Sequence, residues 1–219
     1  MSSETFRSGR AFDRLINFSD AVVAVAVTVL VLPIADITVS RGDESVWNVL
    51  SDHAGEIITF FFTFFVVSIM WLTHNRFMNQ LRGYDGVIFW LNTAWLAIIA
   101  FLPVTSALYS DPGLDGSGGW FSGSTLDGSG MLYWGSLSLI SFIITLMSLR
   151  ARSNTHLYDP EQAKFWSWRE ISRGWIYASY FLIIGIVSLF SAGVASYLPL
   201  GLIVLPFLLK REDSSIDID

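Results

Sequence analysis

Six stretches of this chain are long and apolar enough to cross a lipid bilayer as helices, at about 15–35, 56–80, 86–109, 130–149, 173–192 and 194–209. A hydrocarbon core calls for ~20 consecutive, mostly apolar helical residues. Charged residues make up 15% of the chain and hydrophobic ones 53%, against roughly 25% charged in a soluble domain. Lipid, not water, is therefore the main solvent. The valine-rich run from Val22 to Val31 has the propensity of a buried strand, and continuous apolar character does not separate the two. A strand edge facing lipid would leave backbone groups unpaired, and no stretch alternates apolar and polar as a membrane barrel must. The expectation is an all-α integral membrane protein, one domain over residues 1–219 with six transmembrane helices.

Charge placement sets the orientation, because Lys and Arg are retained on the cytoplasmic side. Taking alternate loops as inward puts Arg7, Arg10, Arg14, Arg76, Arg82, Arg150, Arg152, Lys164, Arg169, Arg173, Lys210 and Arg211 inside, and Arg41 alone outside. Both termini are then cytoplasmic. The N-terminal segment MSSETFRSGRAFDR is polar for too long to be a signal peptide, so the first apolar stretch is expected to persist in a multi-pass protein of the cell membrane. The outer loops carry Asp36, Asp43, Glu44, Asp52, Glu56, Asp111, Asp115 and Asp127. Such an excess either concentrates cations at an outer mouth or is ordinary solvated surface.

Two connections have a character of their own. The string Leu-Asp-Gly-Ser-Gly occurs at 114–118 and again at 126–130, in a Gly/Ser-rich stretch that reads as a flexible linker. The stretch 159–172 opens with Asp159 as a helix N-cap and Pro160 at the first helical position. A short interfacial helix anchored by Phe165, Trp166 and Trp168 is expected there. Ser191, Ala192 and Gly193 leave room only for a tight hairpin between the last two spans.

Polar groups inside the membrane are where chemistry is sought first. Asp20, His74 and Asn92 each lie about six residues in from the same membrane face, or ~9 Å at ~1.5 Å per residue. A hydrogen-bonded cluster with Ser19 and Asn17 follows, either as a frame holding three helices or as a proton-handling site, since His titrates near neutrality. Beyond it, from Ala21 to Leu32, the first helix has no charge and only Thr28 as a polar side chain. Val25, Val29 and Leu32 form a stripe at helical spacing, with Ala21 and Ala24 leaving room for close helix approach. Such a stripe is ordinary packing or lipid contact, or else a pore lining that works by hydrophobic constriction and dewetting.

Arg14 followed by Phe18-Ser19-Asp20, then Trp71 with His74 three residues later, then Asn92 with an apolar run into Leu102-Pro103, resembles the prokaryotic relatives of the lysosomal potassium channel named transmembrane protein 175. The resemblance implies a homotetrameric, potassium-permeable channel for monovalent cations. It further implies a pore lined by the first helix, with constriction residues at Val25, Val29 and Leu32 and a selectivity threonine at Thr28. Arg14, Phe18, Ser19, Asp20, Trp71, His74 and Asn92 would be its structural polar cluster. Val25 departs from the pattern, since a bulkier Ile or Leu is usual at the first constriction.

The chain has no cysteine, which removes disulfides, thiolate metal sites and a thiol nucleophile. It has no phosphate-binding glycine loop, zinc motif or serine elbow, so it reads as no enzyme. No cofactor beyond the permeating potassium ion, no resident metal and no nucleic-acid partner are expected. Gly83-Tyr84-Asp85-Gly86 superficially matches a potassium-selectivity loop, but without the Thr-Val before it the string reads as a turn. The rival readings are a proton-coupled or proton-conducting transporter using His74 and Asp20, and a non-conducting scaffold.

Overall fold

The computed structural model describes residues 6–35, 45–110, 128–158 and 168–202. Among these, helices α1 (Arg10–Val29), α2 (Val46–Asp52), α3 (Ala54–Met78), α4 (Gly86–Ser110), α5 (Ser129–Ser153), α6 (Trp168–Ser188) and α7 (Ala192–Tyr197) follow in order. Two two-residue strands, β1 (Arg7–Ser8) and β2 (Gly83–Tyr84), complete the set with two 3-10 turns. Five helices are long and apolar enough to cross a membrane: α1 with its continuation to Ala35, α3, α4, α5 and α6. They match the first five apolar stretches to within a few residues. The sixth stretch begins as α7 and a 3-10 turn, Leu198–Leu200, and from residue 203 lies outside the described residues.

Local signals account for where these helices start and stop. Gly9, at φ 60°, turns the chain into α1, and its carbonyl accepts from the Phe12 and Asp13 amides at 2.8 and 3.1 Å. At the other end Pro33 has no amide to give Val29, four residues back. The helix loosens there, with Val31 N bonding Thr28 O at 3.3 Å in place of a regular turn. Asp85 caps α4 by accepting from Ile88 N at 2.9 Å. The same carboxylate, 1% exposed, receives Arg150 from the last turn of α5 at 2.8 Å. Gly83-Tyr84-Asp85-Gly86, expected as a turn, instead forms β2 and passes through Asp85 into the start of α4, where it holds an inter-helix ion pair.

Many large apolar side chains of the spans lie on the outer surface of the helices. Phe61, Phe65 and Ile69 on α3, Val104 and Leu108 on α4, and Ile183 and Ile186 on α6 are all exposed. Hydroxyls within the spans bond backward to their own helix: Thr59 to Gly55 O, Ser68 to Phe64 O, Thr93 to Phe89 O and Ser136 to Leu132 O. That local satisfaction is what lets them sit in an apolar medium. The interior is aromatic, with Trp95, Tyr133 and Trp134 fully buried beside Ile88, Ile99, Leu102 and Leu137.

α5 and α6 make the closest pair. A Cβ on Gly174 would stand 2.2 Å from Thr145 Oγ1, and Ser138 Oγ donates to Ala178 O at 2.7 Å. Small residues bring the backbones together where lipid gives no hydrophobic reason to associate. The second Leu-Asp-Gly-Ser-Gly copy joins this interface. Its Ser129 and Gly130 open α5, and Gly130 has no space for a side chain against Ser188. That end is helix, not linker; the first copy lies outside the described residues, as do 159–167 of the expected interfacial helix. Trp168 already belongs to α6 (Trp168–Ser188), where the span had been expected to start at 173, and Arg152 lies over its ring at 4.7 Å. Ser191 caps α7 in the tight hairpin, accepting from Val194 N at 3.4 Å, and Tyr180 donates to Leu198 O across it.

A small ribbon ties the N-terminal segment to the bundle. β1 pairs antiparallel with β2, Arg7 opposite Tyr84 and Ser8 opposite Gly83. Next to it Leu81 bridges Tyr158, and Arg82 N donates to Leu157 O at 2.8 Å. Gly83 is required, because a Cβ there would lie 2.3 Å from Arg7 O. Gly83→Val should therefore break the ribbon and lower the thermal midpoint of the detergent-solubilised protein, whereas Gly86→Ala, with open space around its Cβ position, should not. Equal midpoints for the two variants would remove the ribbon from the account.

Candidate functional site

The two sides of α1 are built for different surroundings. Phe12, Leu15, Ser19, Val23, Ala26 and Leu30 recur every three or four residues and are buried, mainly against α4. Arg14, Asn17, Phe18, Ala21, Ala24, Val25, Thr28, Val29 and Leu32 occupy the other side and are exposed. Val25 is 62% exposed, Val29 36% and Leu32 55%. Phe18, Ala21, Val22, Val25, Ala26 and Val29 line an open apolar groove with Ala100 of α4. Thr28 is exposed on the same side of α1, and its hydroxyl donates to Val25 O at 2.8 Å. With its proton committed to the helix, the oxygen keeps lone pairs that can accept.

Behind this face the expected polar cluster divides into two. His74 Nε2 lies 2.7 Å from Asn92 Oδ1, and Asn92 Nδ2 donates to Ser19 Oγ at 3.0 Å. Ser19 Oγ in turn donates to Leu15 O at 2.9 Å. Because the Asn92 amide nitrogen is used toward Ser19, its oxygen must accept, which places a proton on His74 Nε2. The result is a single directed chain from α3 through α4 to α1. His74, Asn92 and Ser19 are 1%, 0% and 1% exposed, and the His74 ring stacks on Trp95 at 4.2 Å and 13°.

Asp20 stands apart from that chain. Its Oδ1 accepts from Trp71 Nε1 at 2.7 Å, a second link between α1 and α3. Seven residues of the family motif are thus placed as follows: Ser19, His74 and Asn92 in one hydrogen-bonded chain, Asp20 and Trp71 in another, and Arg14 and Phe18 on the exposed face. Asn17 is exposed too and joins neither set. Residue spacing alone missed Trp95 as the ring that seats His74, and it missed the Asp85–Arg150 pair. An Asp directly before an apolar helix is a recognisable cap, but its distant arginine has no local signal.

Comparison with known proteins bears on the same half of the chain. Residues 14–103 match the family described as endosomal/lysosomal potassium channel TMEM175. Among curated relatives, the human "Endosomal/lysosomal proton channel TMEM175" is 33% identical over 98 residues, which is 43% of this chain and 19% of that one. A "Potassium channel" of Streptomyces collinus is 29% identical over 100 residues, 45% of this chain and 47% of that one. The matches thus cover about a fifth of the vertebrate relatives and about half of the bacterial one. A crystal structure of a lysosomal potassium-selective channel TMEM175 homologue from Chamaesiphon minutus has the same fold, with TM-score 0.68 over 93% of this chain and 100% of that one at 19% identity. With its motif residues on α1, α3 and α4 inside the matched segment and its helices following that fold, this chain is a homologue of the TMEM175 family over residues 14–103.

Proposed function

We propose that this chain is one of four identical subunits of a potassium-permeable cation channel in the plasma membrane. Each subunit has six spans with both termini in the cytoplasm, and α1 of each lines the pore. The observation that carries this reading is the exposed, uncharged side of α1 from Ala21 to Leu32, backed by a side on which Ser19, Asn92 and His74 are hydrogen-bonded in a chain. Val25, Val29 and Leu32 cannot coordinate a cation, so they act by limiting pore width and hydration. Thr28 is the polar contact along that path. Arg14 and Phe18 stand at its cytoplasmic entrance.

The decisive measurement is a set of reversal potentials under potassium/sodium gradients on purified protein in liposomes. A passive cation pore follows the ion gradients, whereas a proton-coupled transporter shifts with pH at constant potassium. Thr28→Val removes a hydroxyl at nearly constant volume and should cut the preference for potassium several-fold with the fold intact. In parallel, a cysteine placed at Val25 in this cysteine-free chain should cross-link into dimers under oxidation, since neighbouring α1 helices face one another around the axis. No cross-link at any position from Val25 to Leu32 would remove α1 from the pore.

Proton conduction is the second reading, favoured by the proton-channel names of the vertebrate relatives and by a buried histidine. Against a relay through His74, the chain it starts ends on the Leu15 carbonyl inside α1. That ending supports a frame for the helices.

A further inference from the structure

Helix α2 has no buried residue, although four of its seven side chains, Val46, Trp47, Val49 and Leu50, are large and apolar. At ~100° per residue, Val49, Val46, Leu50 and Trp47 fall in one continuous arc of about 160°. Ser51, Asn48 and Asp52 take the opposite arc, together with Ser45 at the N-cap. Trp47 is 80% exposed, Val46 48% and Leu50 42%. A two-faced helix of this kind in water would leave its apolar arc uncovered.

Its position in the chain says what covers that arc. Only His53 separates α2 from α3, which crosses the bilayer, so α2 stands at the height where α3 leaves the hydrocarbon. His53 and Glu56, paired at 2.6 Å, mark the polar boundary there. The lipid-facing side of α3 begins at Ile58, two residues further on, and continues through Phe61 and Phe65. Tryptophan at such a height prefers the layer between headgroups and acyl chains. We propose that α2 is an interfacial anchor: it lies along the bilayer surface at the end away from the β1–β2 ribbon, with Val46, Trp47 and Leu50 inserted in lipid and Asn48, Ser51 and Asp52 in water. The anchor fixes how deep the first turn of α3 sits, and through it the outer end of α1. It is independent of what the pore conducts.

The test uses full-length protein in liposomes of phosphatidylcholine and phosphatidylglycerol. Single cysteines replace Trp47 or Ser51 and carry an environment-sensitive fluorophore. The Trp47→Cys probe should be blue-shifted and quenched at least twofold by lipids bearing a nitroxide near the headgroup. The Ser51→Cys probe should be quenched by aqueous iodide and not by the lipid. Leu50→Cys gives the same reading as Trp47→Cys without loss of the tryptophan. Iodide quenching of both apolar-arc probes would mean a helix standing in water, and protection of both from lipid and iodide would mean an arc covered by protein. Either result overturns the anchor.

Discussion

Val25→Trp should abolish potassium current while the protein still elutes as a tetramer. Val25 is the most exposed residue of the α1 stripe, at 62%, and borders an open groove, so the larger ring has room within its own subunit and costs the fold little. In a fourfold assembly four indoles would converge where four isopropyl groups stood, and a path narrowed that far excludes a hydrated cation. The opposite change has the opposite sign. Val25→Ala or Leu32→Ala should raise conductance and weaken discrimination between ions, and the smaller native side chain at Val25 makes it the less sensitive of the two. Single-channel currents and size-exclusion profiles read both quantities. Wild-type conductance in Val25→Trp would show that α1 does not line the conducting path.

The second large effect concerns stability. His74→Ala should destabilise the protein by about 2–4 kcal/mol, as expected for emptying a buried site and orphaning the Asn92 oxygen. Hydrogen bonds between helices in a membrane average only about 0.6 kcal/mol. Most of the loss therefore comes from the emptied space beside Trp95, and His74→Gln, which refills part of it and keeps a donor, should recover part of the stability. Asn92→Leu orphans partners on both sides, whereas Ser19→Ala removes only the end of the chain, so Asn92→Leu should be the more damaging. Thermal unfolding in detergent gives the order. A His74→Ala protein of wild-type stability that had lost only a pH dependence of its current would transfer His74 from frame to proton relay.

Much of this arrangement was legible in the sequence because the bilayer imposes simple rules on the chain. The lengths of the spans at α3 and α4 follow from the apolar stretches at 56–80 and 86–109. The equal depths of His74 and Asn92 follow from counting residues inward from those ends, and the two do meet. Counting could not say that Asp20 would turn to Trp71 while Ser19, its neighbour, turned to Asn92. One residue along a helix is ~100° of rotation, and which of two adjacent polar side chains meets which partner depends on how α1 is rolled against α3 and α4. The same limit hid the role of Gly130. As sequence, Gly-Ser-Gly looks like a linker, and only the approach of Ser188 makes the missing side chain a requirement. Pro33 was visible within the first apolar stretch, yet its effect on Val29–Val31 depends on a backbone path.

The uneven restraint of α1 along its length has a mechanical consequence. At one end the helix is clamped by the ribbon at Arg7–Ser8, and between two and three turns in it is pinned by Ser19 and Asp20 to α4 and α3. Toward its far end the regular bonding is interrupted at Val31, whose amide bonds Thr28 O, before Ala35 N returns to Val31 O. A rod held this way is a cantilever, whose tip deflects much further than its root under the same load. Leu32 is about 20 Å from Ser19 at ~1.5 Å per residue, near the tip, while Val25 is close to the root. Stretching or thinning the surrounding bilayer should therefore move the Leu32 side chain most and leave Val25 almost where it was.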